Sequence, residues 1–278
     1  MHIDYLFLRL VRHFMPSSLV RFFLQNEIII RPGLETRDPS AAIKQYQEKL
    51  AQTGQSCDGK RIMVFGYGGN FAIGCMLIDV GAEHVVLSDK FAPPDNRINA
   101  GLLSKYGDYL DQIDGQVMPK GEYITILQGD VRQVASHPGT PKMDLILSRS
   151  VYEHLDEVDD ITRALAILTK PTGSQIHFID LRDHYFKYPF EMLTISEKAW
   201  NTWFNPTSNL NRLRYTDYQY IFERYFDKVQ ATILERDPEA FEKARPLIHP
   251  EFLTGDPGID SATQIVIIAS QPKKSITF

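Results

Sequence analysis

The chain has 278 residues, 43% of them hydrophobic and 23% charged, with a formal net charge of −5. That length suits one large α/β domain with an appended subdomain, or two small domains, and the composition is that of an ordinary soluble globular protein. The acidic balance argues against a protein devoted to nucleic acid. Two cysteines, Cys57 and Cys75, exclude a disulfide framework and a zinc set.

The first thirty residues are greasy, but Asp4 precedes the apolar run, and Arg9 and Arg12 interrupt it. No small-residue cleavage site follows, so the segment is not read as a secretory leader, and no uncharged run reaches the length of a membrane span. The expected location is therefore the cytoplasm. Two short helices are predicted over 5–15 and 18–26, divided by Pro16, with Ser17 or Ser18 as a cap. Arginines among large apolar residues fit two readings. One is a helix pair packed on the domain with snorkelling side chains. The other is a basic amphipathic segment, residues 5–26, making weak contact with a membrane surface or lidding a greasy substrate.

A linker (31–40) leads to a helix from about 40 to 53, capped by Asp38 or Ser40. From there apolar runs alternate with helical patterns. Strands are predicted at 61–66, 84–89, 123–130, 143–149 and 174–181, and helices at 70–81, about 97–112 and 157–169, with a short turn near 131–136. Continuous Val/Ile/Leu runs separated by helices imply a parallel sheet covered on both faces. The polar stretch 93–122 is long for a crossover. Residues 182–226 are dense in aromatics and read as a helical insertion ending in a helix from Thr216 to Phe226. Two last strands, 228–236 and 262–270, flank a helix near 238–245 and complete seven, one of them antiparallel. The expected fold is Rossmann-like: seven mostly parallel strands with helices on both faces. It divides into an N-terminal helical extension (1–57), a cofactor-binding core (58–181), the aromatic insertion (182–226) and the C-terminal strands (227–278).

The first strand ends at Phe65, and Gly66, Gly68 and Gly69 follow. Glycines there permit positive φ and close approach of the backbone to a ligand, and the helix beginning near Asn70 offers free N–H groups. Asp89 closes the second strand, 23 residues beyond Gly66, where a carboxylate can accept both ribose hydroxyls. The pair points to an adenosine-containing cofactor. A dinucleotide fingerprint would place a third glycine at Phe71, which weakens a nicotinamide reading.

With those residues in hand, the chain resembles the class I S-adenosylmethionine-dependent methyltransferases, close to their type 11 group, over about residues 58–181. The family's acidic-x-Gly-x-Gly-x-Gly motif corresponds to "VFGYGGN", with Val64 at the acid and Asn70 at the last glycine. This hands the contacts with the methionine portion to backbone groups of Tyr67 to Asn70. Asp89 matches the ribose-binding acid; in "QGDV", Asp130 matches the acid that meets the adenine amino group, with Val131 beside the ring. "LILSRSVYEHL" resembles the segment beneath the cofactor. "LAILTKPTGSQIHFIDL" resembles the following helix, turn and strand, with Thr172 in place of a glycine. The resemblance thus implies S-adenosyl-L-methionine held by Gly66, Tyr67, Gly68, Gly69, Asn70, Asp89, Lys90, Asp130, Val131, Ser148 and Arg149.

The implied reaction is methyl transfer to oxygen or nitrogen of a small-molecule acceptor. A hydroxyl acceptor needs a base. His184, just past the fifth strand beside Asp180 and Arg182, and His154, past the fourth, are the candidates; His177, inside a strand, reads as a core histidine. Tyr152, Trp200, Trp203, Asn205 and Arg212 are candidate acceptor-pocket residues, with Asn211, Arg214 and Tyr215 nearby. No metal is expected. Two other functions stay open: a cofactor-binding or regulatory protein without catalysis, and a nicotinamide-dependent oxidoreductase.

Overall fold

The computed structural model describes residues 2–16, 19, 38–185, 187–274 and 276. The expected second helix, 18–26, lies outside the described residues apart from Leu19.

Among the described residues nine strands form two sheets: β1 (Arg61–Phe65), β2 (His84–Asp89), β3 (Leu110–Ile113), β4 (Gln116–Pro119), β5 (Ile124–Gln128), β6 (Met143–Arg149), β7 (Thr169–Asp180), β8 (Phe226–Arg236) and β9 (Ala262–Pro272). Seven make the main sheet, in the order β5-β2-β1-β6-β7-β9-β8. The pairs β1–β2, β1–β6, β2–β5 and β6–β7 are parallel. β9 runs antiparallel to both β7 and β8 and is the single reversed strand of this sheet. This is the seven-stranded Rossmann-like plan the alternating pattern predicts.

The residue pattern explains why the sheet is covered on both faces. Side chains along a strand alternate between faces. In β1, Ile62 and Val64 join one core, while Met63 and Phe65 join the other; Leu145 and Leu147 of β6 likewise oppose Ile146. Helices α1 (Ile3–His13), α2 (Pro39–Gln52) and α3 (Ala72–Asp79) come first in the chain. α2 and α3 cover the Val64 face. The opposite face is covered by α4 (Val158–Leu168) and α5 (Tyr215–Tyr225). Asp38 caps α2 by accepting from the Ala41 amide, one of the two expected caps. Cys57 and Cys75 are both free and buried.

The crossover 93–122 differs from the single helix expected over 97–112. It folds as two short helices, Asn96–Ala100 and Leu103–Tyr106, and the antiparallel hairpin β3–β4. Asp114 and Gly115 make the turn, with φ of 50° and 76°. An Asp-Gly pair in the left-handed region is the hairpin chemistry that matches strand twist.

A third, smaller core lies beyond the C-terminal edge of the sheet. It joins Tyr5 of α1 with Phe190, Leu193 and Trp200 of the insertion and Phe241 and Ile248 near the C-terminus. The N-terminal helix is anchored there by a buried triad. Arg9, 1% exposed, pairs with Asp183, and Tyr5 donates to the same carboxylate at 2.5 Å. The opposite face of α1 leaves Ile3, Phe7, Val11 and Phe14 exposed. No helix of the described residues is long and apolar enough to cross a membrane.

Candidate active site

Strand order reverses between β1 and β6, the two neighbours whose following segments diverge to either side of the sheet. Ligands of open α/β sheets bind beyond the strand tips at such a point. Gly66 after β1 and Val151 after β6 flank this position. A Cβ on Gly66 would lie 2.3 Å from Val151 Cγ2, and φ there is +86°. Gly68 and Gly69 also take positive φ, 68° and 83°. Ser150, at φ 52°, is a non-glycine residue in the same left-handed region, a costly conformation that concentrates at functional sites.

The glycine loop is held by its neighbours. Asn99, fully buried, donates to the Gly69 carbonyl at 3.0 Å and accepts from the Phe71 amide at 2.9 Å. Asn70, 4% exposed, accepts through its side-chain oxygen from the amide of Ala72, the first residue of α3. Its side chain serves the helix start, which explains an asparagine where the resembling family has glycine. Tyr67 and Phe71 are buried and stacked, 6.2 Å between centroids, and the Tyr67 hydroxyl has no hydrogen-bond partner.

Asp89 is half-buried at the tip of β2. Its Oδ2 accepts from the Gly68 amide at 3.2 Å, and Oδ1 accepts from Phe91 and Ala92, both at 2.8 Å. The carboxylate therefore sits against the glycine loop, with capacity left on Oδ2 for a ligand hydroxyl. Phe91 is 74% exposed beside it, with Lys90 Nζ 5.3 Å from its ring centre. An exposed aromatic at a strand tip offers a flat face to a nucleobase. Sequence reasoning missed Phe91; a large aromatic two residues past the acid was the available signal. The left-handed glycines, Asp89 and Phe91 fit the nucleoside and tail of S-adenosylmethionine.

Asp130 does not fit its expected role. Its Oδ1 accepts from Arg132 Nε at 2.9 Å and from the Arg132 amide, and its Oδ2 accepts from Arg132 Nη2 at 2.6 Å and Lys90 at 3.1 Å. Hydrogen bonds from Arg132 hold its pKa well below the usual carboxylate range. Four donors leave no acceptor capacity for an adenine amino group. Val131, 2% exposed, begins the short helix Val131–Ser136 and packs into the core. A hollow of about 430 Å³ opens beside that helix, bounded by Val86, Leu127, Asp130, Val134 and Met143.

Ser148 and Arg149 are also turned to structural use. Ser148 is buried with its hydroxyl 2.7 Å from His177 Nδ1. Arg149 bonds Gln45 and lies over the Phe178 ring at 4.8 Å. His177 is the core histidine expected, with Nε2 2.8 Å from Gln175 and burial lowering its pKa to about 3.

The acceptor-pocket candidates separate. Trp200, 1% exposed, belongs to the third core and donates to the Leu210 carbonyl; Tyr152 is fully buried beside His177 and Phe222. Arg212 donates to the Met192 and Ile195 carbonyls at 3.2 and 2.6 Å, and Arg214 to the Leu181 and Ala262 carbonyls, both at 2.7 Å. Buried backbone carbonyls in and beside the insertion need donors, and these arginines supply them. None of the four forms an open wall, contrary to the sequence expectation. Asn205 ties its turn through Asn209 and the Leu210 amide. Trp203 alone of the five candidates is exposed, at 50%, beside Phe14.

The two candidate bases do come together. His154 and His184 have ring centroids 4.9 Å apart. His154 Nδ1 lies 2.9 Å from the Asn209 carbonyl and 3.1 Å from that of Ser208, so Nδ1 carries the hydrogen and Nε2 the lone pair. Burial lowers the pKa of His154. His184 is exposed to solvent; surrounding protein, then His154 and Arg9, push its pKa well below the ordinary value. Asp180 and Arg182 form a local ion pair, Nη2 to Oδ2 2.7 Å.

No family model matches the chain, and no curated protein does. Solved structures match in fold. The 1,6-didemethyltoxoflavin-N1-methyltransferase of Burkholderia thailandensis, bound to 1,6-didemethyltoxoflavin and S-adenosylhomocysteine, aligns with a TM-score of 0.51 at 12% identity. The alignment covers 98% of this chain and 92% of that one. A provisional O-methyltransferase from Nostoc punctiforme aligns with a TM-score of 0.50 at 13% identity over 97% of this chain and 67% of that one. At such identity the likeness establishes the fold: this is the architecture in which S-adenosylmethionine-dependent methyltransferases are built.

Proposed function

We propose that the protein is an S-adenosylmethionine-dependent methyltransferase acting on oxygen or nitrogen of a small-molecule acceptor. The observation that carries this reading is the juxtaposition of three left-handed glycines at the tip of β1 with Asp89 and exposed Phe91 at the tip of adjacent β2. When bound, the cofactor supplies an electrophilic methyl group on a sulfonium centre.

In this reading Asp89 Oδ2 takes the ribose hydroxyls, Phe91 stacks on the base, and amides of the Tyr67–Asn70 loop meet the amino-acid tail. His154 Nε2 holds a lone pair ready for an acceptor's proton, because Nδ1 is committed to backbone carbonyls. General-base help of this kind contributes about 10²–10⁴-fold. His154→Asn should therefore lower transfer to a hydroxyl acceptor by about that factor. The test is transfer of a labelled methyl group across an acceptor panel. Unchanged turnover in the variant would remove His154 from the chemistry.

A further inference from the structure

We propose that Glu153, His154 and His184 form a binding site for one divalent transition-metal ion, with zinc as the simplest occupant. One potential ligand atom from each of the three lies within 4.8 Å of the other two. Glu153 and His154 stand on the single 3-10 turn Tyr152–His154 that follows β6, and His184 follows β7, so adjacent parallel strands deliver the set to one rim.

The side chain that points to a cation is Glu153. It is 3% exposed, and neither carboxylate oxygen has a hydrogen-bond partner. Amides of Glu153 and Asp180 lie near it, but no bond of ordinary geometry reaches either oxygen. Buried carboxylates are almost always paired, hydrogen-bonded or on a metal. His154 has the arrangement of a metal-binding imidazole, one nitrogen fixed on backbone carbonyls and the other left with its lone pair. The solvent-facing edge of His184 is the path by which an ion enters.

Two imidazoles and a carboxylate form a borderline donor set suited to zinc and other divalent first-row metals, and not to magnesium or calcium. Charge opposes the ion at one point. Arg9, Arg12 and Arg182 all act on His184; Arg9 and Arg182 are each paired with an aspartate, whereas Arg12 has no carboxylate partner among the described residues.

The inference stands apart from methyl transfer, since it needs neither cofactor nor acceptor. It does touch the same atom: the His154 lone pair accepts a proton or a metal ion, never both at once.

The test uses untagged full-length protein, stripped with chelator and titrated with zinc chloride by calorimetry, with thermal unfolding in parallel. One ion per chain is expected, with a rise in unfolding temperature. Glu153→Gln and His184→Ala should each weaken zinc binding at least tenfold. Metal-free Glu153→Gln should melt no lower than metal-free wild type at pH 8, because the substitution removes a buried acid; this separates loss of binding from loss of fold. Absence of stoichiometric binding to the wild-type chain, or wild-type affinity retained in both variants, would overturn the proposal.

Discussion

At the scale of single residues, side chains with bonding capacity to spare stand apart from those that serve the backbone. Asp89 accepts three amides of its own loops and retains capacity on one oxygen. Asp89→Asn keeps the side chain's size but removes the charge, and should weaken S-adenosylhomocysteine binding by about 1–3 kcal/mol. Calorimetry on the two proteins checks this, and equal affinities would detach the residue from the ribose. His154 must be neutral to take a proton, and its pKa is lowered from 6.5. The acidic limb of the pH–rate profile for a hydroxyl acceptor should accordingly fall below pH 6.5 in the wild type; a limb above that value would contradict the assignment. His177 gives a stability effect of defined sign. Its folded pKa of about 3 lies below the unfolded 6.5, so its contribution is fully present above pH 6.5 and declines as pH falls toward 3. Within that window its share of the slope approaches about 1.4 kcal/mol per pH unit. Urea midpoints measured against pH should slope less in His177→Gln than in the parent.

At the scale of elements, the main sheet was legible because each strand alternates between two cores and carries Val, Ile and Leu on both faces. Strand β7 shows where legibility stops. Its pairing with β6 jumps from Thr169 to Ser174, so the expected Lys-Pro-Thr-Gly turn survives as a bulge inside a strand. The hairpin in the crossover was also readable, from Asp114-Gly115 between two short runs, but helix periodicity overrode it. Buried arginines were not legible. Arg9, Arg212 and Arg214 look like surface or ligand-gripping charges, yet each is nearly enclosed and bonded to an aspartate or to carbonyls. Only the tertiary packing of the insertion against α1 creates those demands. Removing one member should be costly. Asp183→Ala leaves the Arg9 guanidinium buried without its carboxylate, and should lower stability by about 3–5 kcal/mol in chemical denaturation. A loss under 1 kcal/mol would mean that α1 is not held by this pair. The other face of the same helix offers Ile3, Phe7, Val11 and Phe14, the spacing of one helical stripe. Such a stripe is what the membrane-contact reading of the N-terminal segment requires. Phe7→Ser with Phe14→Ser should reduce co-sedimentation with anionic vesicles without changing the unfolding temperature, and unchanged sedimentation would dismiss the contact.

At the scale of the molecule, three clusters of polar and glycine residues lie along one edge. The glycine loop, the Asp89–Phe91 corner and the Glu153–His154–His184 cluster all follow C-terminal tips of parallel strands, while the third core closes that edge with α1 and the aromatic insertion. The juxtaposition of a glycine loop with a carboxylate was readable in advance, because glycine and aspartate at strand tips have a narrow set of uses. The acceptor half was not. Aromatic and basic residues there look alike whether they line a pocket or build the core that supports it, and Trp200, Tyr152 and Arg212 turned out to do the latter. The central claim is that the crevice between β1, β2 and β6 holds an adenosyl sulfonium compound. Its most direct test is equilibrium binding of S-adenosylhomocysteine to the purified chain, with NAD as the competitor. The account predicts saturable binding at one site per chain, unaffected by excess NAD. Binding of NAD with none of S-adenosylhomocysteine would contradict it.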